Sequence, residues 1–223
     1  MCGRFHRELS WRQVHEFLDL RFPTTLEDGA DVPPSSNVAP THFTPVCTLK
    51  DGVERAIGMM HWGIVPPWSR DGRMLINARS ETAPTGPGFR EAWTTRRCIV
   101  PATGFYEWKQ EGTRKVPMLF TVPDEPIFAF AGLWEPERST KPAGVVILTM
   151  APNELVASVH DRMPVMLRRG DIKQWLQDGQ GDFLRAPIPA EEMRMSPAAG
   201  DLNTAPARRK APPKEDSQPG LFG

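Results

Sequence analysis

The chain has 223 residues, 39% hydrophobic and 24% charged, with 27 Lys and Arg against 27 Asp and Glu. That is enough apolar material for one domain with a sizeable core, two domains being possible but not required. Zero net charge excludes a protein that coats duplex DNA by bulk electrostatics and leaves room for a local basic groove only. The start lacks the basic, apolar and small-residue regions of a secretory signal, and no apolar run approaches the roughly 20 residues that span a bilayer. A soluble, cytoplasmic protein with no membrane partner is expected. Cys2, Cys47 and Cys98 are an odd number with no Cys-x-x-Cys pair and no zinc-site spacing, so neither a disulfide framework nor a metal site is indicated. Cys47 and Cys98 lie in apolar, strand-like contexts and are expected as buried core thiols.

Ser10-Trp11-Arg12-Gln13 has the form of a capping box, and Trp11, Val14, Phe17 and Leu18 follow at helical spacing, predicting an amphipathic helix that ends near Leu20. The Pro-, Thr-, Ser- and Asp-rich stretch from Pro23 to Pro45 reads as an extended loop. Val46 to Leu49 and Val53 to Met60 flank Asp51-Gly52, which predicts a β-hairpin. Short β-prone runs then recur at 61–65, 98–102, 105–109, 116–122, 127–133 and 145–150, with short helical patterns at 89–97, 153–159, 171–176 and 190–194. Because no regular helix separates successive strands, the pattern predicts an α+β fold: one β-rich domain of antiparallel or mixed sheets with short flanking helices. Residues 205–223 combine Pro206, Pro212, Pro213 and Pro219 with Arg208-Arg209-Lys210 and few large apolar residues. They read as a disordered tail after a domain over 1–204; the default for their basic triplet is a solvated tail, with weak attraction to nucleic acid the alternative.

Several segments place polar groups where packing does not require them. Asn37 in Asn37-Val38-Ala39-Pro40 either folds back on its own turn or lines a cleft. Asn77-Ala78-Arg79-Ser80-Glu81-Thr82 offers an amide, guanidinium, hydroxyl and carboxylate in succession, suited either to a phosphate and a sugar oxygen or to an Arg79–Glu81 ion pair. In Gly104-Phe105-Tyr106-Glu107-Trp108-Lys109, strand alternation sends Phe105 and Glu107 to one face and Tyr106 and Trp108 to the other. A carboxylate among aromatics has reason to hold its proton near neutral pH, which makes Glu107 a proton donor or acceptor unless it pairs with Lys109 or an arginine at the surface. His160 follows a short helical pattern and precedes Pro164, where it could carry protons; His6, His15, His42 and His61 read as structural. Trp68, on a proline-stiffened loop, offers a stacking surface for a base, whereas Trp62, Trp93, Trp134 and Trp175 read as core. Arg4, Arg7, Arg79, Arg162, Arg168 and Arg169 either gather in one cleft around phosphates or are scattered solvated charges.

The start, Met1-Cys2-Gly3-Arg4-Phe5, carries the sharpest chemistry. Removal of Met1 leaves Cys2 with an α-amine, of ordinary pKa about 7.7–8.0, beside a thiol of about 8.5. An amine converts an aldehyde to an imine, and the adjacent thiol can close on that imine to give a thiazolidine. The bland reading is an ordinary cysteine on a frayed terminus.

Taken together, Met1-Cys2-Gly3-Arg4-Phe5, Asn37-Val38-Ala39-Pro40, Trp62-Gly63, Asn77 to Thr82, Gly104 to Trp108 and His160-Asp161-Arg162-Met163-Pro164 resemble the SRAP family of SOS-response-associated peptidase-like proteins, in the family's order and up to about Asn203. The resemblance implies a β-rich domain with a central cleft that binds single-stranded DNA at abasic sites, working as a monomer without metal or organic cofactor. It implies that the mature Cys2 forms a stable thiazolidine with the ring-opened sugar, and that β-elimination and crosslink reversal are possible further activities. By the same resemblance, Asn77 would hold the opened sugar and the α-amine, Glu107 would shuttle protons, and His160 would assist Schiff-base formation and strand scission. Arg4, Arg79 and Arg162 would meet phosphates, Trp68 would stack where the DNA bends, and Asn37 and Trp108 would line the DNA path. The protein would then be nucleoid-associated when bound. The chain departs from the family pattern at Pro67 and Ser69 and in Met195 to Ala199. Two other functions fit the same residues: a thiol peptidase or self-processing hydrolase with Cys2 as nucleophile and His160 as base, and a module that binds single-stranded or modified DNA without a covalent product.

Overall fold

Ser10 starts the first helix by accepting from the Gln13 main-chain N–H, while the Gln13 side chain accepts from the Ser10 N–H over 3.0 Å, so the capping box closes in both directions. This helix, α1 (Trp11–Leu18), buries Val14, Phe17 and Leu18 and stops where Asp19 turns left-handed. A computed structural model describes residues 2–20, 32–66, 69, 72–138, 141–200 and 202 of the chain.

Before α1 runs β1 (Phe5–Arg7), and after it come β2 (Ser35–Val38), β3 (Phe43–Lys50), β4 (Glu54–Trp62), β5 (Asn77–Arg79), α2 (Arg90–Thr95), β6 (Arg97–Ala102), β7 (Gly104–Glu111) and β8 (Arg114–Thr121). The remaining elements are β9 (Phe128–Glu135), β10 (Gly144–Met150), α3 (Glu154–Ala157), β11 (Met163–Pro164), β12 (Met166–Leu167), α4 (Asp171–Asp178) and β13 (Arg194–Pro197). They build two sheets. The smaller has the order β13-β8-β7-β1-β2. The larger runs β11-β10-β4-β3-β6-β9-β12, with β5 beside β10. Because β10 also pairs with β9, the path β10-β4-β3-β6-β9 closes on itself as a ring. Among the described residues only the pairings of β10 with β4 and β5 are parallel, so the mixed α+β architecture expected from the sequence is the one the chain adopts.

The expected hairpin forms around Asp51 and Gly52, both at positive φ (52° and 72°), the geometry that Asp-Gly favours. Two segments differ from expectation. Residues 35–38 and 43–45, read as loop, are strand, because β2 is imposed by its partner: Val38 sits opposite Phe5 and Ser35 opposite Arg7, with no apolar alternation of its own to announce it. Residues 190–194, read as helical, form a 3-10 turn at Ala190–Glu192 and then β13, whose Met195 lies opposite Phe120 on β8. The part of the expected loop at 21–31 and the expected tail at 205–223 lie outside the described residues.

Aromatic side chains join the sheets. Phe5 of β1 packs against Trp62 of β4 at 5.2 Å between ring centroids and against Phe130 of β9 at 5.6 Å, edge-on. Phe105 of β7 stacks on Phe120 of β8 at 5.0 Å and meets Phe130 at 6.5 Å. All five rings are fully buried, each contributing about 1.5–3 kcal/mol of burial relative to exposure. Cys47 and Cys98 are buried in the same core, as expected, and Trp62 and Trp175 with them.

Candidate active site

The N-terminal segment enters the space between the sheets because β1 is clamped on both edges, by β2 and by β7. Phe5 anchors it in the core, so Cys2, three residues earlier, is drawn inside and is fully buried. Its Sγ donates to the Arg4 carbonyl at 3.7 Å, an oxygen that also accepts from the Tyr106 N–H at 3.0 Å. Burial pushes the Cys2 thiol well above its ordinary pKa, and the negative charge of Glu107 pushes it further. The resting group is therefore a neutral thiol.

Asn77 opens β5, which lies parallel to β10 with Asn77 opposite Ile147 and Arg79 opposite Thr149. Alternation buries Ala78 and leaves Asn77 and Arg79 on the other face. Asn77 Nδ2 donates to the Cys2 carbonyl at 2.9 Å, tying the N-terminal segment to the larger sheet. Its Oδ1 is shielded from solvent and has no hydrogen-bond partner among the described residues.

Glu107 comes from the smaller sheet. It lies opposite Met118, on the same face of β7 as Phe105, and is 3% exposed, as alternation predicted. Loss of water raises its pKa to about 7; the positive charge at the amino terminus opposes the shift and Asp161 adds to it. That value suits a group that both takes and gives protons near neutral pH.

His160 follows α3, whose N-cap Asn153 accepts from the Val156 N–H at 2.9 Å and donates to the Ile188 carbonyl at 2.8 Å. Burial and the charge at the amino terminus hold the imidazole below its ordinary pKa, so it is neutral at pH 7. Its Nδ1 accepts from the Arg162 main-chain N–H at 3.0 Å, which assigns the ring proton to Nε2. Asp161 Oδ1, 87% exposed, lies 2.9 Å from the same Nδ1 and becomes a partner only when the ring is protonated.

Asn77, Ala78, Arg79, Thr149, His160, Asp161 and Arg162 line one cleft of about 340 Å³. The expected set thus splits: Asn77, Arg79, His160 and Arg162 share the cleft wall, while Cys2 and Glu107 are buried behind it, Cys2 joined to the wall through its bond with Asn77. Arg4 donates to Asn37 Oδ1 at 2.8 Å and to the Leu202 carbonyl at 3.2 Å. Asn37 therefore neither folds back on its own turn nor stands open to the cleft; it joins β2 to the Arg4 side chain. Trp108 is half-buried on β7 opposite Pro117. Trp68 lies outside the described residues.

Glu81 pairs with Arg162, not with Arg79. Arg162 Nη1 and Nη2 reach the two Glu81 oxygens at 2.7 and 2.8 Å, and Nη2 also donates to the Thr149 carbonyl. Among the described residues Arg79 makes no ion pair, and its side chain is exposed. Sequence reasoning weighed Glu81 as a partner of Arg79, noticed Asp161 only as a member of its motif, and missed Thr149, which nothing in its run of apolar neighbours distinguishes. Other charges are structural: Arg7 is buried and donates to the Pro33 carbonyl at 2.8 Å, and His42 Nδ1 accepts from the Ala39 N–H at 3.3 Å. Arg168 pairs with Glu192 and Glu125, and Arg169 donates to the Glu16 carbonyl. Among the described residues no group of three or more His, Cys, Asp or Glu is arranged to hold a metal ion, and no helix is long and apolar enough to cross a membrane.

The β-rich two-sheet fold and the sequence that builds it are shared with known proteins. The sequence pattern of SOS response associated peptidase (SRAP) matches residues 1–205, and the chain belongs to that family. It is 34% identical over 218 residues to the abasic site processing protein YoaM of Bacillus subtilis, covering 92% of this chain and 93% of that one. It is 32% identical over 180 residues to the abasic site processing protein YedK of Escherichia coli, covering 79% and 80%. A crystal structure of a protein from Bacteroides thetaiotaomicron superposes with a TM-score of 0.77 at 25% identity, covering 92% of this chain and 95% of the other.

Proposed function

We propose that this protein recognises abasic sites in single-stranded DNA and, once Met1 is removed, traps the ring-opened aldehyde on Cys2 as a thiazolidine. The observation that supports the reading is the Asn77 bond to the Cys2 carbonyl, which ties the segment carrying Cys2 to a cleft wall that also holds His160. Family membership and the names of the relatives supply the substrate class.

The raised thiol pKa orders the steps. The unprotonated α-amine adds to the aldehyde carbon first, and the carbinolamine loses water to give an imine. Sulfur then attacks the imine carbon while the thiol proton passes to the imine nitrogen, closing the ring with one water lost overall. Glu107, near pKa 7, takes and returns protons in both steps. Asn77 Oδ1 accepts from the amine or from a sugar hydroxyl, and neutral His160, with its proton on Nε2, donates to the departing oxygen. If the imine persists instead of closing, removal of the proton on the adjacent sugar carbon expels the 3′ phosphate; this is the β-elimination route, and ring reopening is crosslink reversal. Arg4 and Arg79 meet phosphates, Arg4 on its Asn37 mount, and Trp68 and Trp108 flank the strand. The protein acts as a monomer through a domain over 1–204 and associates with the nucleoid through DNA.

A thiol peptidase would need a thiolate, and the surroundings of Cys2 favour the opposite state. A denaturing gel of the methionine-processed protein with abasic single-stranded DNA tests the proposal. A heat-stable shifted band that Cys2→Ala removes supports it. DNA affinity without any shifted band would favour the non-covalent binding module.

A further inference from the structure

His160 sits on an excursion, residues 151–162, whose two ends are held together where Met150 of β10 lies opposite Met163 of β11. Within it Asn153 is buried, and both polar atoms of its side chain are engaged. Its Oδ1 accepts from the Val156 N–H at 2.9 Å, and the Val156 carbonyl in turn accepts from the His160 N–H at 2.9 Å. A short chain of hydrogen bonds therefore runs from the Asn153 side chain to the His160 backbone. Its Nδ2 reaches a different segment, donating to the Ile188 carbonyl at 2.8 Å and to Met193 Sδ at 3.0 Å. The Asn153 main-chain N–H meets Met163 Sδ at 3.3 Å, which closes the excursion at its base. Serine and aspartate cap a helix about as well as asparagine does. Of the three, only the amide accepts at the cap and also has two hydrogens to donate elsewhere.

We propose that Asn153 is a positioning residue: it braces the excursion against the 188–193 segment and so sets the place from which His160 enters the cleft. The helix it caps, α3, is four residues long, and a helix that short has little stability of its own. Its orientation comes from what Asn153 holds. The ring is fixed further along, where Nδ1 accepts from the Arg162 N–H, so Asn153 locates the backbone and the 160–162 turn orients the imidazole. Small errors matter here, since a misplacement of about 1 Å can cost about 100-fold in rate. The consequence for crosslinking rests on the reading that His160 serves chemistry on abasic DNA; the placement of the ring does not.

Asn153→Ser and Asn153→Asp keep the helix cap and remove the brace. For each, the crosslinking rate at saturating abasic single-stranded DNA is measured beside the affinity for unmodified single-stranded DNA, and the His160 ring is titrated by NMR in the absence of DNA. The rate falls by about tenfold with affinity unchanged, and the His160 midpoint moves up toward the ordinary 6.5 as the ring gains water, although the amino terminus and Asp161 still face it. Asn153→Asp adds a second signature. Its carboxyl, buried against the Ile188 carbonyl, takes up a proton as pH falls and can then donate again, so its rate relative to the wild type recovers toward low pH while that of Asn153→Ser does not. A folded Asn153→Ser with the wild-type rate and the wild-type His160 titration overturns the proposal. An affinity loss as large as the rate loss overturns it equally. Should both variants melt out of their fold, Met193→Leu decides, because it removes one acceptor of Nδ2 at nearly constant volume. A smaller rate loss with the same direction of shift at His160 supports the brace, and no change in either overturns it. If the wild-type protein forms no crosslink, the proposed function fails instead, and the His160 titration still decides whether Asn153 places the ring.

Discussion

The side-chain amide of Asn77 donates to the main-chain carbonyl of Cys2 across 2.9 Å, although 75 residues separate them. The bond joins a strand of the larger sheet to the N-terminal segment held by the smaller one. It is a second support for this segment besides Phe5, whose ring packs against Trp62 and Phe130. The position of Cys2 thus depends on both sheets, and each support is open to test.

Asn77→Ala removes the bond while leaving the strand in place. Single-turnover crosslinking at saturating abasic DNA should fall by about 10- to 100-fold, with non-covalent affinity for the same DNA changed little. An affinity loss as large as the rate loss would make Asn77 a binding residue instead.

Glu107 titrates near 7 in the folded protein against an ordinary 4.5, so the folded state binds the extra proton. The stabilisation that accompanies a raised carboxyl pKa is complete below about 4.5 and is lost as pH rises through about 7. Glu107→Gln, which stays neutral, should nearly match the wild type at pH 4.5 and exceed it by about 3 kcal/mol at pH 8. Denaturant melts at the two pH values read this directly. A wild type that gains stability relative to the variant as pH rises would reverse the sign.

The same variant tests chemistry. Crosslinking by the wild type should show an inflection near pH 7 that is absent from Glu107→Gln, superimposed on the rise that follows deprotonation of the α-amine. An inflection that survives in the variant would belong to another group.

Phe5→Ala empties a fully buried site between the sheets. A loss of about 3–5 kcal/mol is expected. Crosslinking should fall even under conditions where the variant remains folded, because Phe5 anchors the segment that carries Cys2. Normal crosslinking by a folded Phe5→Ala protein would show that Asn77 alone suffices to place the terminus.

Much of this arrangement was legible in the chain. The capping box, the Asp51-Gly52 turn and the alternation around Glu107 are local patterns, and the structure follows them because local sequence and packing agree there. The strand at Ser35–Val38 was not legible, since its only reason to exist is the free edge of β1. The closure of β10 onto β9 and the position of β5 beside β10 are pairings between distant segments that no periodicity encodes. In the cleft, the residue types were readable from the motifs, but the partner of Glu81 was not. Adjacency favoured Arg79, two residues away, whereas folding brings Arg162 to it across 81 positions.

The central claim is that Cys2 supplies both nucleophiles. The most direct measurement is intact mass spectrometry of the adduct between the methionine-processed protein and abasic single-stranded DNA, followed by digestion to locate the linkage. The account predicts the summed masses less one water, with the sugar on the N-terminal peptide and no thiol there left to alkylate. A linkage on a lysine, or an N-terminal adduct whose thiol still alkylates, would contradict it.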